Sequence, residues 1–333
     1  MRIVHLAKKE ASAKIMLPAF QEALRALGDV EVVEQGKNMS EAEVLSVLRR
    51  GEVILTDWMS QPLPVALAED PGNVRYVCNL TGTIQGFIPP EIIEAGIPVS
   101  NWGDAIAIEL AESSLTLLLA VLKEIPARIR RVENGKWRDL TGLRQGHLHG
   151  LRLGLYGFGH AGKAFLKLLQ PFQVDVRVFD PFVMDLPAGV KRVHDLNALF
   201  EDVHGILIHA ALTPETQGSV DASLLSKLPD GGIIVNTARG AIIDQEALFA
   251  ELSRGRLRAG LDVLADGDWL PPEHEARAWP NLLLTCHQLN MATWPDPEAM
   301  HFMHGVCLEN LRRFKHGEPI RFQFDARRLA LST

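Results

Sequence analysis

Short apolar runs alternate with segments of helical apolar spacing along the first hundred residues. The runs predict strands at 3–6, 30–33, 53–56, 74–79 and 97–101, and the segments predict helices at 15–27 and 41–48. Such alternation is typical of a parallel sheet covered by helices, whose ligands bind at the carboxyl ends of strands. The loops 56–58 and 79–83 follow two of the runs, so they are candidate substrate loops, with ordinary turn chemistry as the alternative.

A longer apolar segment at 105–125 follows these elements. Its charges suit the helix dipole, since Glu109 and Glu112 lie near the start and Lys123 lies near the end. Because a helix that is apolar on most faces is normally buried, we expect a long helix that is buried between domains or between subunits. The loop region 134–150 then leads into the next part of the chain.

The clearest motif lies at 151–180. An alternating apolar run precedes Gly157, Gly159 and Gly162, and helical spacing follows them, which predicts a strand, a tight turn and a helix. In this pattern the first glycine forms the turn, the second lets backbone N–H groups approach a pyrophosphate, and the third lets the helix pack on the strand. Asp180 ends the next strand, where a carboxylate accepts hydrogen bonds from a ribose and repels a 2′-phosphate. The motif predicts NAD rather than NADP, with a Rossmann methyltransferase or a fold without a nucleotide as alternatives.

Further elements are predicted as strands at 205–209, 232–237, 258–263 and 282–285 and as helices at 244–253, with Asp244 as N-cap, and at 297–314. Three side chains follow the strands: Arg239, Asp268 and His287. An arginine can hold a carboxylate through two parallel hydrogen bonds, and a histidine beside an acid can transfer a proton near neutral pH. Each residue alone also fits an ordinary surface or turn position, but their shared location at strand ends favours a functional site.

Composition narrows the functional classes. The 333 residues are enough for two domains, and the net charge of −7 argues against a nucleic-acid or anionic-membrane surface. Cys78, Cys286 and Cys307 have no partners at metal-ligand spacing, so we expect no metal site and a reducing, cytoplasmic location. No apolar run is long enough to span a bilayer.

Residues 151–287 resemble the D-isomer-specific 2-hydroxyacid dehydrogenase family, which includes phosphoglycerate, glyoxylate/hydroxypyruvate, D-lactate and formate dehydrogenases. The matching pieces are Leu-Gly-Leu-Tyr-Gly-Phe-Gly-His-Ala-Gly from Leu153, His-Ala-Ala-Leu-Thr-Pro-Glu-Thr from His209, Asn-Thr-Ala-Arg-Gly-Ala-Ile-Ile-Asp from Asn236, Leu-Asp-Val from Leu261, and Leu-Leu-Leu-Thr-Cys-His ending at His287. Looser matches at 94–99, 110–112 and 317–319 extend the resemblance to nearly the whole chain.

The resemblance implies an α/β architecture in which a Rossmann NAD-binding domain is inserted into a smaller, flavodoxin-like α/β substrate domain. The expected boundaries are 1–100 for the first part of the substrate domain, 101–288 for the NAD-binding domain, and 289–333 for the C-terminal segment that returns to the substrate domain. It also implies a homodimer, which we expect to form through the helix at 105–125. Neither nucleic acid nor membrane is an expected partner.

The resemblance further implies roles for single residues. Arg239 would bind the substrate carboxylate and polarise the carbonyl, while His287 would give or take the hydroxyl proton. Backbone amides at Thr81, Gly82 and Thr83 would complete the carboxylate site. These roles predict a small 2-hydroxy acid and its 2-keto acid as the substrate pair.

Two departures from the family pattern concern this site. Asp268 best matches the family's Glu that orients the His, and it is one methylene shorter. The loop 81–85 replaces the family's Gly-x-Asp-Asn.

The implied cofactor-binding residues are Gly157, Gly159, His160, Ala161, Gly162, Asp180, His209, Ala210, Thr216, Thr237, Ala238, Arg239, Asp262, His287 and Asn290. Among these, Asp262 would hold the nicotinamide carboxamide.

The main hypothesis is therefore an NAD-dependent oxidoreductase that interconverts a small D-2-hydroxy acid and its 2-keto acid. A second hypothesis is an NAD(H)-sensing, corepressor-like binding protein, which the altered acid and the altered loop motivate. A third is a dehydrogenase on the same scaffold that oxidises formate or another donor that is not a hydroxy acid. The presence of both Arg239 and His287 favours the first hypothesis.

Overall fold

The computed structural model describes residues 1–7, 15–34, 39–139, 141–144, 146–285, 287–289 and 302–330. The chain divides into two compact units, each with its own parallel sheet. The first, called the terminal unit, combines Met1–Ile106 with Thr293–Thr333, and the second, called the central unit, is Ala107–Ala292.

The terminal unit begins with alternating strands and helices. Its described strands are β1 (Arg2–Ala7), β2 (Asp29–Glu34), β3 (Val53–Thr56), β4 (Tyr76–Asn79) and β5 (Val99–Ser100), and the helices between them are α1 (Pro18–Leu27), α2 (Glu41–Leu48), α3 (Ala66–Glu69) and α4 (Pro90–Glu94). The strands are parallel in the order β2-β1-β3-β4-β5. This is the flavodoxin-like order, in which loops at the carboxyl ends of the strands share one edge of the sheet.

The central unit carries a larger parallel sheet. Its strands are β6 (Arg152–Tyr156), β7 (Asp175–Phe179), β8 (Lys191–Arg192), β9 (Gly205–Ile208), β10 (Ile233–Asn236), β11 (Arg258–Leu261) and β12 (Leu282–Leu284), and its α-helices are α5 (Ala107–Leu122), α6 (Ile125–Glu133), α7 (His160–Leu169), α8 (Leu196–Phe200), α9 (Ala222–Lys227), α10 (Gln245–Ser253) and α11 (Ala265–Asp268). The described strands run in the order β12-β11-β10-β9-β6-β7-β8. The order reverses between β6 and β9, which is the switch point where Rossmann folds bind dinucleotides.

Both faces of the central sheet are covered, which explains why its inner strands β9 and β10 are buried along their whole length. Leu117 of α5 and Phe165 of α7 belong to the hydrophobic core that includes Leu155 of β6. Leu225 of α9 and Leu248 of α10 belong to a second core, which includes further sheet residues. Parallel strands need such coverage on both sides, so the predicted α/β class with Rossmann and flavodoxin-like sheets is confirmed.

The C-terminal residues complete the terminal unit. They form α12 (Phe302–His316) and α13 (Ala326–Ala330). Cys307 and Leu311 of α12 are buried in a core of this unit, and Phe324 is buried in another. The Phe324 N–H donates to the carbonyl oxygen of Val99 at 2.8 Å, so the tail covers the otherwise open edge at β5.

The helix predicted at 105–125 is confirmed as α5, which begins two residues later and ends three residues earlier than predicted. Helix α5 ends at Leu122, and Glu124 has a φ of 52°, in the left-handed region, before α6 begins at Ile125. Pro126 lies in the first turn of α6, where its missing N–H is harmless. In the interior of a continuous helix the same proline would remove a hydrogen bond and clash with the preceding turn.

Smaller differences concern the ends of elements. The predicted strand at 258–263 ends at Leu261, which leaves Asp262 in the loop beyond it. The N-cap prediction at Asp244 is confirmed, since its side chain accepts a hydrogen bond from the Ala247 N–H. Residues 297–301 of the predicted last helix lie outside the described residues. None of the described helices combines the length and apolar character needed to cross a bilayer.

Candidate active site

Three glycines shape the turn between β6 and α7. Gly157 has a φ of 93°, and a Cβ atom there would lie 2.5 Å from the backbone N of Ala210. A Cβ atom at Gly162 would lie 2.7 Å from the carbonyl oxygen of Gly157, whereas Gly159 faces open space within 4 Å. The turn is therefore packed on its sheet side and open above the N-terminus of α7, which His160 and Ala161 begin. The N–H groups of a helix N-terminus and the helix dipole make such an opening suitable for a diphosphate.

Asp180 follows β7, and backbone N–H groups hold its carboxylate in place. Oδ2 accepts a hydrogen bond from Phe158 N at 2.7 Å, while Oδ1 accepts from Phe182 N at 2.8 Å and Val183 N at 3.2 Å. Because Phe158 belongs to the glycine turn, the negative charge is fixed beside the diphosphate opening. An acid in this position suits the ribose hydroxyls of NAD and disfavours a 2′-phosphate.

His209 follows β9 and lies against the glycine turn. Its backbone N–H donates to the carbonyl oxygen of Tyr156 at 2.8 Å, and its ring centroid lies 5.3 Å from that of Phe165. The Nε2 atom is buried and has no hydrogen-bond partner within the described part of the chain. Burial lowers the pKa of His209 to about 4, so the ring is neutral at pH 7.

The next residues close the loop after β9. The Thr216 hydroxyl donates to the carbonyl oxygen of Ala211 at 2.7 Å and accepts from the Thr213 N–H at 2.7 Å. These bonds give the loop a fixed shape next to Ala210. Thr216 therefore fixes the shape of this loop. Its contact with the cofactor stays a prediction.

The loop after β10 carries Thr237, Ala238 and Arg239. The Asn236 side chain shapes this loop, since its Oδ1 accepts from Ala238 N and its Nδ2 donates to the carbonyl oxygen of Arg239, both at 2.9 Å. The Thr237 hydroxyl lies 2.7 Å from that of Ser114 on α5, and Arg239 Nη1 donates to the carbonyl oxygen of Ala238 at 2.8 Å. Both ends of the loop are therefore held before any ligand binds.

Asp262 lies in the loop after β11 and is buried. Its N–H donates to the carbonyl oxygen of Asn236 at 3.0 Å, and its Oδ1 accepts from the Thr285 hydroxyl beyond β12. The carboxylate thus joins the loops that follow β11 and β12, while the backbone N–H ties Asp262 to the end of β10. Asn290, also predicted to bind the cofactor, lies outside the described residues.

Asp268 and His287 lie within hydrogen-bond distance. Asp268 Oδ2 is 2.6 Å from His287 Nδ1, and Asp268 Oδ1 accepts from the Leu264 N–H at 2.6 Å. Both residues have left-handed backbones, with φ of 58° and 54°. A left-handed conformation costs a residue with a side chain about 1 kcal/mol or more, and such strain is concentrated at functional sites. The Asp side chain therefore reaches the imidazole although it is one methylene shorter than Glu.

Arg239 belongs to the same group of side chains. Burial lowers the pKa of its guanidinium, and the nearby carboxylate of Asp268 acts in the opposite direction. Gly240 lets the loops approach, since a Cβ atom there would lie 1.9 Å from the carbonyl carbon of Leu264. The central unit therefore brings a guanidinium, a carboxylate and an imidazole to neighbouring strand ends.

The predicted substrate loop of the terminal unit follows β4. Asn79 Nδ2 donates to the carbonyl oxygens of Thr81 at 3.0 Å and Thr83 at 2.9 Å. Gly82 and Thr83 are partly exposed, and their N–H groups donate no hydrogen bond to any described residue. A Cβ atom at Gly82 would lie 2.6 Å from the indole of Trp102. Two consecutive free N–H groups in a fixed loop are a suitable site for an anion.

Sequence reasoning missed the residues that shape these loops. Asn236, Ser114 and Asn101 make the hydrogen bonds that fix the backbone beside Arg239 or Gly82. Asn236 immediately precedes the Thr-Ala-Arg stretch, so its position in the motif is a signal that could have identified it. Asn101 and Ser114 carry no such local signal, since their partners are distant in sequence. Within the described ranges, no cluster of at least three His, Cys, Asp or Glu is arranged to hold a metal ion.

The model of the NAD-binding domain of D-isomer specific 2-hydroxyacid dehydrogenases matches residues 115–288. These residues include the glycine turn, Asp180, Arg239, Asp268 and His287. The chain belongs to the D-isomer specific 2-hydroxyacid dehydrogenase family. The family resemblance and the NAD-binding domain predicted from the sequence are thereby confirmed.

Two relatives each match more than three quarters of this chain. Hydroxypyruvate reductase of Thermotoga maritima is 30% identical over 262 residues, which cover 78% of this chain and 84% of that protein. D-3-phosphoglycerate dehydrogenase of Methanocaldococcus jannaschii is 27% identical over 305 residues, which cover 90% of this chain. The match spans 57% of the length of the second relative.

Solved structures extend the likeness to the whole chain. The TT0316 protein from Thermus thermophilus has a TM-score of 0.76 and 26% identity, with coverage of 98% of this chain and 100% of that chain. D-2-hydroxyisocaproate dehydrogenase has a TM-score of 0.76 and 21% identity, with coverage of 97% of this chain and 99% of that chain. An acyclic imino acid reductase in complex with NADPH and D-Arg has a TM-score of 0.79 and 21% identity, with coverage of 98% of this chain and 100% of that chain. The last two show the shared fold.

The family's cofactor fits the residues of this chain. The opening at Gly159 admits a diphosphate, the fixed carboxylate of Asp180 suits a ribose, and the buried Nε2 of His209 lacks a partner within the described residues. These features lie at the switch point between β6 and β9, where a dinucleotide binds in Rossmann folds. The geometry and the family model therefore agree on NAD.

Proposed function

We propose that this protein is an NAD-dependent oxidoreductase that interconverts a small D-2-hydroxy acid and its 2-keto acid. The 2.6 Å contact between Asp268 Oδ2 and His287 Nδ1, close to the guanidinium of Arg239, carries the proposal. The central unit would bind NAD, and the terminal unit would contribute the loop 81–83 to substrate binding. Hydroxypyruvate, the substrate named for a relative, is one candidate in this class.

The contact with Asp268 defines the proton-transfer role of His287. An ionised carboxylate only accepts hydrogen bonds, so the ring proton of neutral His287 lies on Nδ1. Nε2 then carries the lone pair that takes a proton from the substrate hydroxyl during oxidation. In the reverse direction the protonated ring donates from Nε2 to the carbonyl oxygen, while Asp268 holds the ring orientation and stabilises its positive charge.

Arg239 supplies the charge that a 2-keto acid requires. Its planar guanidinium can donate two parallel hydrogen bonds to a carboxylate, and partial burial strengthens that attraction. The free N–H groups of Gly82 and Thr83 would also bind a substrate carboxylate. A carboxylate held next to C2 leaves the adjacent carbonyl oxygen within reach of His287, which is why we propose a small substrate.

Bound NAD supplies the hydride acceptor or donor for C2 of the substrate. Asp262, held by the Thr285 hydroxyl, would accept from the carboxamide, and Asp180 would accept from the adenosine ribose. Thr237 and Ala238 would line the nicotinamide side through a backbone that Asn236 and Ser114 fix. These contacts orient the two reactants, and orientation contributes a large share of the catalysis of hydride transfer.

The other two functions explain less of this geometry. A sensor of NAD(H) needs no acid–base pair, yet Asp268 and His287 have strained backbones that hold them together. Formate oxidation transfers a hydride from an anion that has no hydroxyl proton, so it gives the imidazole no proton to transfer. A 2-hydroxy acid uses both the guanidinium and the imidazole.

We further propose a homodimer in the cytoplasm. Most of the apolar surface of α5 is buried in its own unit, but Ile108 is 63% exposed, and Ile129 and Val132 of α6 are 52% and 51% exposed. Exposed apolar residues at helical spacing are a suitable surface for a second copy. Cys78 and Cys307 are free thiols, in keeping with a reducing compartment.

The proposal is tested by incubating purified protein with NADH and a panel of 2-keto acids that includes hydroxypyruvate, glyoxylate and pyruvate. We expect loss of nicotinamide absorbance with at least one of them and, where hydroxypyruvate or pyruvate is reduced, a product of D configuration by chiral chromatography. NADH binding by calorimetry with no turnover across the panel would favour the sensor. Reduction of NAD by formate, with no activity towards hydroxy acids, would favour the third function.

A further inference from the structure

A hydrogen-bonded chain within the terminal unit connects its C-terminal helix to the loop 81–83. Arg328 of α13 donates from Nη2 to Asn101 Oδ1 at 2.5 Å, and Asn101 Nδ2 donates to the carbonyl oxygen of Gly82 at 2.5 Å. Asn101 Oδ1 also accepts from the Gly103 N–H at 3.0 Å. Arg328 and Gly82 are far apart in sequence, and one amide side chain joins them.

The guanidinium determines which way the Asn101 amide points. Arginine has donors and no acceptor, so the oxygen of Asn101 must face Arg328. The amide nitrogen then faces Gly82, whose carbonyl oxygen is an acceptor. Without Arg328, the Gly103 N–H would be the remaining described donor to that oxygen.

The bond at Gly82 determines the direction of a neighbouring N–H group. The Gly82 carbonyl and the Thr83 N–H belong to one planar trans peptide, so they point in opposite directions. The hydrogen bond from Asn101 holds the Gly82 carbonyl oxygen towards the Asn101 amide. The Thr83 N–H is consequently directed away from Asn101. The preceding peptide is fixed in the same manner, because Asn79 Nδ2 donates to the Thr81 carbonyl oxygen and the Gly82 N–H points the opposite way.

Stability alone does not account for a guanidinium at position 328. Its Nη1 is buried and donates to no described residue, and its other neighbours are the Asp325 carboxylate and the rings of Phe322 and Phe324, 5.6 Å and 4.5 Å from Cζ. A buried donor without an acceptor is unfavourable, and an apolar side chain would pack on the same rings without that penalty. Besides the attraction to Asp325, the bond to Asn101 is the contact that an apolar residue could not replace.

We propose that Arg328 and Asn101 are positioning residues that aim the Gly82 and Thr83 N–H groups at the substrate carboxylate. This inference rests on the proposed function, since it takes that carboxylate as the anion in the loop. Neither residue touches the reacting atoms. Loss of the chain should weaken carboxylate binding equally in the ground state and the transition state, which raises KM and leaves kcat nearly unchanged.

Two substitutions separate positioning from folding. Arg328→Ala removes the donor to Asn101, and Asn101→Asp keeps both acceptor bonds of the side chain while removing its donor to Gly82. We expect each to raise KM for the best 2-keto acid about tenfold, with kcat within about twofold of the wild type. The control is Arg321→Ala, because Arg321 stacks on Phe322 with Cζ 4.9 Å from the ring centroid and makes no side-chain hydrogen bond to Asn101. It should leave KM unchanged.

Binding of oxamate to the protein–NADH complex, measured by calorimetry, gives a readout without turnover. We expect its Kd to rise about tenfold in both variants and to stay constant in Arg321→Ala, with the Kd of NADH unchanged in all three. Wild-type protein that reduces no keto acid, but whose oxamate affinity depends on Arg328 and Asn101, would refute the proposed reaction and support the positioning role. Wild-type turnover with KM and oxamate Kd unchanged in Asn101→Asp would overturn the positioning role alone. Equal losses of NADH and oxamate binding in both variants would also overturn it, because they would indicate general damage to the fold.

Discussion

Asp268 Oδ2 lies 2.6 Å from Nδ1 of His287, and both residues adopt left-handed backbone conformations. The contact joins the end of α11, which follows β11, to the loop after β12. It gives the imidazole a fixed orientation and a fixed ring proton, which are the two requirements for directional proton transfer.

Asp268→Asn should lower kcat for keto-acid reduction by about a hundredfold to ten-thousandfold, because the amide can no longer stabilise the protonated ring or enforce one tautomer. The affinity of Asp268→Asn for NADH should equal that of the wild type. Steady-state kinetics and calorimetry check both quantities. Glu273→Gln changes an exposed acid in the same loop region and serves as the control. Retention of full kcat in Asp268→Asn would remove the proposed role of this carboxylate.

Arg239→Ala should lower kcat/KM for every accepted keto acid by about a hundredfold or more, since a charge-assisted hydrogen bond contributes about 1.5–3 kcal/mol and two are lost. Arg239→Lys should recover part of this loss, because an ammonium keeps the charge without the planar pair of donors. Arg254→Ala, at an exposed position after α10, is the matched control. If Arg239→Ala is as active as the control, another group binds the carboxylate.

Asp180 should determine the choice between NADH and NADPH. Asp180→Asn retains an acceptor for the Phe158 N–H and removes the charge that repels a 2′-phosphate. We expect the wild type to have a higher kcat/KM with NADH than with NADPH. Asp180→Asn should reduce the ratio of these two kcat/KM values by at least about tenfold. Parallel assays with the two cofactors measure the ratio. An unchanged ratio would show that another residue sets the preference.

His209 should make stability depend on pH. Its pKa falls from an ordinary value of about 6.5 to about 4 in the folded chain because of burial. The unfolded chain therefore binds more protons between these values, so the contribution to the free energy of unfolding is complete above pH 6.5 and is lost as pH falls towards 4. The shift corresponds to about 3 kcal/mol at most.

Urea unfolding of the apo protein at about pH 7 and pH 5 measures the effect of His209. His209→Gln should be less stable at pH 7 but should lose less stability on acidification than the wild type. His194→Gln is the control, since His194 is exposed. Identical pH dependence in the wild type and His209→Gln would contradict a buried, neutral His209.

Sedimentation velocity should show a particle of twice the 36.8 kDa chain mass. Ile129→Glu should shift it towards the monomer, because a charge would be buried on the apolar face of α6. Val65→Glu places the same charge at an apolar residue that is 48% exposed in the terminal unit, and it should leave the mass unchanged. A wild-type monomer at micromolar concentration would exclude the dimer.

Much of the fold follows from local sequence patterns. The alternation of apolar strands and helices predicts two parallel sheets, and the glycine spacing at 157–162 predicts the turn that the structure shows. Asp244 is a further example, since its cap depends on Ala247 only three residues away. The end of α5 lies three residues before the predicted end, because Ile125 continues the apolar spacing and the left-handed conformation of Glu124 has no signal in that pattern.

The sequence by itself determined the residue types of the site and their positions after strands, since strand ends in a parallel sheet share one edge. Only the tertiary structure decided that Asp268 reaches His287 and that Arg328 reaches Asn101. Both contacts join residues distant in the chain, and both depend on backbone paths through loops. Apolar periodicity specifies which face of an element is buried, but it contains no information on the direction of a loop side chain or on the partner of a single amide.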